Sequence, residues 1–225
     1  MRPPEASAAG FRDALAEVGH ALALDLTNSQ LDTLLAYLAL LQRWNATYNL
    51  TAVRDPGQMV TQHLADCLAV IGPLRRHFAT AASRRILDVG SGGGLPGVVI
   101  AALNPGAAVT CVDTVGKKAA FVRQAAGELR LTNLFAEHAR VEQLKAAPFD
   151  VIVSRAFASL ADFTRLTRRH LAPQGVWMAM KGKIPDDEMT PLAAEFDVFH
   201  VEHLNVPGLQ AERCLVWIRP QTPSL

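Results

Sequence analysis

The stretch Asp88-Val89-Gly90-Ser91-Gly92-Gly93-Gly94-Leu95-Pro96-Gly97 has the residue types and spacing that point most directly to chemistry. It follows the strand-like run Arg84-Arg85-Ile86-Leu87 and precedes an apolar, helix-like run from Val98 to Leu103. A glycine-rich turn between a strand and a helix lets backbone, with its N–H groups, approach a ligand closely. The competing reading is a turn with no ligand. Four glycines in five places, however, carry a backbone-entropy cost that a plain turn does not require. An acid, Asp113, follows about twenty residues after the turn, at the end of the next strand-like run. So placed, it can accept both hydroxyls of a ribose or cap the helix that opens near Lys117, and the two roles are compatible. Asp88 is read as a support for the turn.

The spacing also separates nucleoside classes. A dinucleotide fingerprint needs its third glycine where this chain has Leu95. Gly90-x-Gly92-x-Gly94 after an acid resembles instead the S-adenosylmethionine (SAM) loop of class I methyltransferases. A third strand-like run leads into Glu137-His138-Ala139-Arg140-Val141-Glu142, where a backbone N–H of Val141 or Glu142 would border an adenine edge. The alternative there is an ordinary solvated loop. A fourth run, Phe149 to Ser154, ends at Arg155, and a charge emerging where an apolar strand stops needs either a partner or an open cleft. The choice lies between a site cation and an arginine paired to a surface acid.

These residues need elements to hold them. Helical spacing predicts helices over Phe11–Leu24, Thr27 to about Ala46 and Met59 to about Ile71, with Gly72-Pro73 interrupting the last. The first dozen residues, rich in Ala, Pro and Ser, are expected to fray. From Arg84 strands and helices alternate. Strands are expected at Ile86–Val89, Val109–Asp113, Leu134–Glu137, Asp150–Ser154 and Val176–Met180, with helices Gly97–Leu103, Lys117–Leu129 and Ala158–Leu171 between them. An amphipathic segment, Met189–Phe196, precedes two strands, Val198–Leu204 and Cys214–Ile218, close enough to pair antiparallel. The expected fold is α/β, a Rossmann-like, mostly parallel seven-stranded sheet of the class I methyltransferase kind. Residues 1–78 are expected to form an N-terminal helical extension packed on a core domain of residues 79–225, the two making one structural unit.

Composition bounds the partners. The chain has 225 residues, half of them apolar and 19% charged, which suits a folded domain with a sizeable core. A net charge of +1 does not announce nucleic acid, so RNA binding would need a local basic patch. Cys67, Cys111 and Cys214 are far apart and lack paired metal spacing, so buried free thiols in a reducing cytoplasm are expected and no metal. The N-terminal residues lack the apolar segment of a signal peptide, and the longest clean apolar run, Leu34 to Leu41, is too short to span a bilayer. A monomer with no membrane role is expected.

With these motifs read, the chain resembles the RsmG (GidB) family of bacterial 16S rRNA guanine-N7 methyltransferases. The resemblance rests on Trp44-Asn45-Ala46-Thr47-Tyr48-Asn49-Leu50-Thr51-Ala52, His63-Leu64-Ala65-Asp66-Cys67-Leu68, the glycine loop through Gly97, Asp113 with Lys117-Lys118-Ala119-Ala120-Phe121, and Ser154-Arg155-Ala156-Phe157-Ala158. It covers about residues 10 to 220. One departure is Cys67, where the family commonly has serine. The resemblance implies SAM contacts at Gly90, Leu95, Val141, Glu142 and Arg155. The product would be S-adenosylhomocysteine, and the substrate a guanine near the decoding region of the small-subunit rRNA.

Guanine N7 carries an exposed lone pair, and its methylation removes no proton, so no general base is required. Arg155, Asn49, His63 and Asp66 are therefore candidates for positioning, not proton transfer. Gly90, Gly92, Gly94, Leu95, Asp113, Val141, Glu142 and Arg155 are candidates for the cofactor. Asn45, Asn49 and Thr51 either line the site or close a helix end; His63 and Asp66 are either site residues or a local polar pair. Trp44 and Tyr48 are expected in the core. RNA-contact candidates are Lys117, Lys118, Arg123, Lys181 and Lys183 on one side, and Arg75, Arg76, His77, Arg84 and Arg85 on another. A small-molecule methyltransferase and a SAM-binding ribosome assembly factor without turnover are the competing readings, with a dehydrogenase the weakest.

Overall fold

The computed structural model describes residues 8–80, 84–155, 157, 159–193 and 195–221. Helix α1 (Ala8–Ala21) starts earlier than its pattern predicts, so residues 8–12 are not frayed; residues 1–7 lie outside the described residues. It stops at Ala21 because Ala23 turns left-handed, with φ 52°. Helix α2 (Asn28–Tyr48) opens on a reciprocal cap. The Thr27 hydroxyl accepts the Gln30 N–H and the Gln30 side chain accepts the Thr27 N–H. Its apolar face buries Leu31, Leu34, Leu38 and Leu41.

The third expected helix is broken into pieces. A short helix α3 (Pro56–Met59), capped by Asp55, passes into a π-helical segment, Val60–Ala65, and then into α4 (Asp66–Leu68). Gly72-Pro73 does not end helical structure, because Pro73 sits in the first turn of α5 (Ile71–His77), where its missing N–H costs nothing.

The sheet comprises β1 (Arg85–Val89), β2 (Ala108–Asp113), β3 (Leu134–His138), β4 (Phe149–Ser154), β5 (Leu171–Lys181), β6 (Phe196–His203) and β7 (Cys214–Pro220), in the order β3-β2-β1-β4-β5-β7-β6. The first five strands are parallel; β7 runs antiparallel to both β5 and β6. This is the class I methyltransferase sheet. Between strands lie α6 (Gly97–Leu103), α7 (Gly116–Glu128), α8 (Leu160–Thr167) and α9 (Asp186–Leu192). Strand β5 begins five residues before its expected start, because Leu171 pairs with Phe149 across an irregular register. Among the described residues no helix is long and apolar enough to cross a membrane.

Side chains alternate across the sheet. Ile86, Val151 and Val153 face a core that also holds Leu15, Leu34, Leu74, Val99 and Phe121 from the helices. Leu87 and Ile152 face a second core with Phe163, Trp177 and Leu192. The N-terminal helices thus share one apolar cluster with α6 and α7. Strand order reverses between β1 and β4, so the chain leaves their carboxyl ends in opposite directions and a crevice opens there.

Leu34 is fully buried where α2 meets this shared cluster. Leu34→Ala is expected to lower unfolding free energy by about 2–5 kcal/mol, read as a drop in urea midpoint at unchanged slope.

Candidate functional site

The glycine loop sits in the β1/β4 crevice as a left-handed turn, with φ of 68° at Gly90, 58° at Gly92 and 80° at Gly94. Most of its N–H groups are engaged within the fold. Gly90 and Ser91 donate to the Val112 carbonyl (2.9 and 3.3 Å), and Gly94 and Leu95 donate to the Ser91 carbonyl (2.8 and 3.0 Å). Gly92 donates to Asp113 Oδ2 at 2.9 Å. Gly93 is the loop residue whose N–H has no partner among the described residues. A ring of free N–H groups, expected from the glycine pattern, is therefore not what the loop presents. What it presents is bare backbone: a Cβ added at Gly90 or Gly92 would meet nothing within 4 Å. A phosphate cradle needs several converging N–H groups. An uncharged or zwitterionic ligand needs only the close approach.

Two acids brace the loop. Asp113 ends β2 and divides its carboxylate, Oδ2 taking the Gly92 N–H and Oδ1 the Val115 N–H at 2.8 Å. It does not cap α7, whose N-cap is Val115. A carboxylate has about four acceptor sites, so sites remain for a ligand's hydroxyls. Lys118 Nζ stands 3.9 Å from Oδ2. Asp88 is fully buried and accepts the Gly97 N–H at 2.8 Å, as a support for the turn should; its Oδ1 has no partner among the described residues. Burial pushes its carboxyl up to about 7, against the Gly97 N–H and the Arg155 charge, which act the other way.

A third brace comes from α2. The buried Tyr37 hydroxyl donates to the Gly93 carbonyl at 2.6 Å, and Leu41 packs against the same glycine. Together with Leu50, Thr51, His63, Leu95, Lys118 and Arg155, the loop encloses a cavity of about 190 Å³. A second cavity, about 370 Å³, is lined by Gln62, His63, Asp66, Arg155, Met180, Lys181, Gly182 and Arg213. His63 and Arg155 form the wall common to both.

That wall is held by the π-helical segment. The wider helical turn at Val60–Ala65, a kind of irregularity often found at functional sites, carries His63 and leads directly into Asp66. Asp66 is buried between two arginines, accepting Arg213 Nε at 2.9 Å on Oδ1 and facing Arg155 at 3.5 Å on Oδ2. Arg155 also donates to the Gln62 carbonyl at 3.2 Å. His63 Nε2 lies 2.8 Å from the Thr51 hydroxyl. Thr51 is fixed in turn by Asn45, whose Oδ1 accepts the Thr51 N–H at 2.9 Å. Desolvation, then the Arg155 charge, lowers the His63 pKa, so the ring is neutral at pH 7.

The fold brings together Gly90, Gly92, Leu95, Asp113, His63, Asp66, Arg155, Lys118 and Lys181 around the two cavities or their braces. Gly94 turns the loop but faces α6 and α7, where an added Cβ would lie 2.5 Å from Val98. Asn49 is the left-handed cap of α2 (φ 50°), bonded to Arg54, and lines neither cavity. Val141 and Glu142 open a short 3-10 turn after β3. His170 and Arg169 hold that turn by its carbonyls. Its first two N–H groups have no carbonyl behind them.

Arg75 and Arg76 line neither cavity. Arg75 caps the end of α6 through the Leu103 carbonyl and Asn104, and Arg76 pairs with Glu202. Arg85 begins β1 and Arg84 precedes it, at the end of that strand opposite the glycine loop. Arg123 donates to the Ala136 carbonyl beside β3, while Lys117 and Lys183 are exposed. Lys181 is paired with Glu188 at 2.8 Å. Trp44 packs edge-on against Phe121 as a core residue, but Tyr48 stays largely exposed. Tyr37 and Arg213 were not singled out from sequence. Their partners lie 56 and 147 residues away, and no local pattern marks them. The three cysteines are buried and free, and no group placed to hold a metal ion is present among the described residues.

A family model described as rRNA small subunit methyltransferase G (GidB) matches residues 30–216. Relatives named ribosomal RNA small subunit methyltransferase G include one from Acidovorax sp. (strain JS42), 61% identical over 217 residues, covering 93% of this chain and 96% of that protein. Another, from Leptothrix cholodnii, is 62% identical over 211 residues, covering 94% and 96%. Solved structures with the same fold include a ribosomal protein L11 methylase from Lactobacillus delbrueckii subsp. bulgaricus (TM-score 0.54, 17% identity, 69% of this chain and 78% of that one). TrmN from Thermus thermophilus is similar too (TM-score 0.53, 18% identity, 72% and 53%).

The bracing has measurable consequences. A buried acid with a raised pKa favours the folded state while protonated, and that advantage fades as pH rises from the ordinary 3.8 to about 7. Unfolding free energy is expected to fall across this window by up to about 1.4 kcal/mol per pH unit on account of Asp88. In Asp88→Asn, which keeps an acceptor for Gly97 and cannot ionise, urea titrations should lose that slope. Tyr37→Phe strands the Gly93 carbonyl and is expected to cost about 1–3 kcal/mol in the same assay.

Proposed function

We propose that the chain, which belongs to the family of ribosomal RNA small subunit methyltransferase G, transfers the methyl group of SAM to N7 of one guanine in 16S rRNA. The observation that carries the reading is the pair of adjoining cavities with His63 and Arg155 as their common wall. One is bounded by bare glycine backbone with few free N–H groups, as suits a nucleoside without phosphates. The other is polar and has room for a base.

The residues present fit SAM. Open space beside Gly90 and Gly92 would receive its amino-acid tail, and the spare acceptor sites of Asp113 its ribose hydroxyls. The first N–H groups of the Val141–Gln143 turn would meet its adenine edge. When bound, SAM supplies a sulfonium methyl: the N7 lone pair forms the new N–C bond as the C–S bond breaks, and that electron pair stays on sulfur, giving S-adenosylhomocysteine.

The chain's own residues then have to align and to exclude water, not to move a proton. The Thr51 hydroxyl and the π-helical backbone hold a neutral His63 in the common wall, so it adds no positive charge beside a purine that becomes cationic. Arg155 is tethered by Asp66 and the Gln62 carbonyl, which neutralise and orient it as a positioning residue. Lys117 and Lys118, at the start of α7 beside the cleft, and Lys181 are the cations best placed for rRNA phosphates. Acting on 16S rRNA places the protein in the cytoplasm.

The test is incubation with methyl-labelled SAM and either naked 16S rRNA or 30S subunits, followed by nucleoside analysis. Label in N7-methylguanosine is expected, and none from either substrate rejects the reading. Tight 30S binding without transfer would make the protein an assembly factor instead. Gly92→Val forces a β-branched side chain into a left-handed residue and into the cavity mouth. Calorimetric affinity for SAM is expected to fall at least tenfold.

A further inference from the structure

A third cavity continues the row. It has a volume of about 710 Å³ and lies between the α3/π-helical segment and the β6–β7 loop. Gln62 and Arg213 form its wall with the 370 Å³ cavity, as His63 and Arg155 join that cavity to the glycine loop. The three cavities stand in a row, each sharing two lining residues with the next, and the methyl-transfer reading uses only the first two.

We propose that this groove is a second nucleotide subsite, which receives the base adjacent to the methylated guanine in the RNA chain and reads its edge. The inference rests on the methyl-transfer reading and extends it to substrate selection.

The lining is suited to a base rather than to a phosphate. Gln58 and Gln62 project from one side and Gln210 from the other, and none of the three side-chain amides has a hydrogen-bond partner among the described residues. A side-chain amide offers a donor and an acceptor together, the combination that pairs with a base edge. Single-stranded RNA is read in this way, with splayed bases hydrogen-bonded along their edges. Leu209 and Ala211 add apolar surface beside the amides.

Two charged residues line the groove. Asp55 uses Oδ1 to cap Gln58 at 2.8 Å. Arg213 stands where the groove adjoins the 370 Å³ cavity. A phosphodiester joining the two nucleotides must pass that junction, and phosphate contacts set register while base contacts set sequence. Asp66 holds Arg213 Nε at 2.9 Å, so the cation is aimed before RNA arrives. The loop is shaped independently of a ligand: Leu204 N–H donates to the Arg213 carbonyl at 2.8 Å, and Leu209 N–H to the Val206 carbonyl at 3.1 Å. Gly208, at φ 77°, lies close enough to Thr61 that an added Cβ would be 3.5 Å from its methyl.

The test uses 16S rRNA transcripts, naked and reconstituted into 30S subunits, in which each neighbour of the methylated guanine is changed to the other bases. For the wild-type protein, kcat/KM is expected to fall about tenfold or more for changes on one side. In Gln58→Ala/Gln210→Ala that discrimination should shrink severalfold while calorimetric SAM affinity stays unchanged. A second measurement does not depend on the variant's folding. A 4-thiouridine at the sensitive position should crosslink the wild-type protein within residues 55–62 or 206–213. Indifference of the wild type to both neighbours, undiminished discrimination in the variant, or crosslinks confined elsewhere overturns the subsite alone. Failure to methylate the unaltered transcript overturns the methyl-transfer reading with it.

Discussion

The hydrogen bonds that close the glycine loop on itself and on Asp113 are the constraint from which the site follows. A left-handed turn at three glycines has no side chains to hold it, and in isolation it would sample many shapes. Here Val112, Ser91 and Asp113 take its N–H groups, and Tyr37 takes its Gly93 carbonyl from outside. The loop is thus fixed before any ligand binds, and little ordering entropy remains to be lost on binding. The same saturation narrows the ligand class. With its donors already engaged, the loop can offer shape and proximity to an amino-acid tail but cannot surround a pyrophosphate. Asp113 links these two properties, because the carboxylate that stiffens the loop also keeps acceptor sites to spare.

The Tyr37 bond changes the meaning of the N-terminal helices. They are not an appendage on a complete nucleoside-binding sheet, since α2 supplies Tyr37 and Leu41 to the loop and the chain just after it supplies Leu50 and Thr51 to the cavity. Next, the π-helical segment swings His63 and Asp66 over the ends of β1 and β4. A regular helix would bond Ala65 and Asp66 one carbonyl closer and rotate these side chains away from Arg155. The doubly wound sheet provides the crevice, and the helices before it determine what the crevice holds.

Much of this was legible in the sequence, and the reason is locality. The glycine loop, the acid at the end of β2, the alternation of strands and helices in the parallel half and the antiparallel terminal pair all rest on patterns within ten or twenty residues of each other. What escaped depends on contacts across the chain or on small backbone changes. Tyr37 looks like one more apolar position on the buried face of α2. Arg213 lies in a loop between two edge-side strands, 147 residues from Asp66. The π-helical segment is only six residues long, too short for its own period to be told from that of an α-helix in the sequence. Arg75 and Arg76 show the same limit. Adjacent arginines read as a basic patch, but the partners that hold them, the Leu103 carbonyl and Glu202, lie 28 and 126 residues away.

The Arg155–Asp66–Arg213 triad would be poorly justified as a stabilising device. A buried ion pair recovers in Coulomb attraction about what it loses in desolvation, so apolar residues of the same volume would serve folding as well. Its worth lies in geometry. Asp66 holds two guanidinium groups by their nitrogens, both in the lining of the 370 Å³ cavity, and its own charge offsets part of theirs. A reaction that turns a neutral purine into a cation is opposed by uncompensated positive charge nearby, whereas an RNA backbone requires positive charge to bind at all. Two arginines sharing one buried carboxylate reconcile these demands: they remain donors to phosphate and carbonyl oxygens while presenting a reduced field to the cavity they line. The neutral state of His63, enforced by burial and by Arg155 itself, serves the same end from the cofactor side.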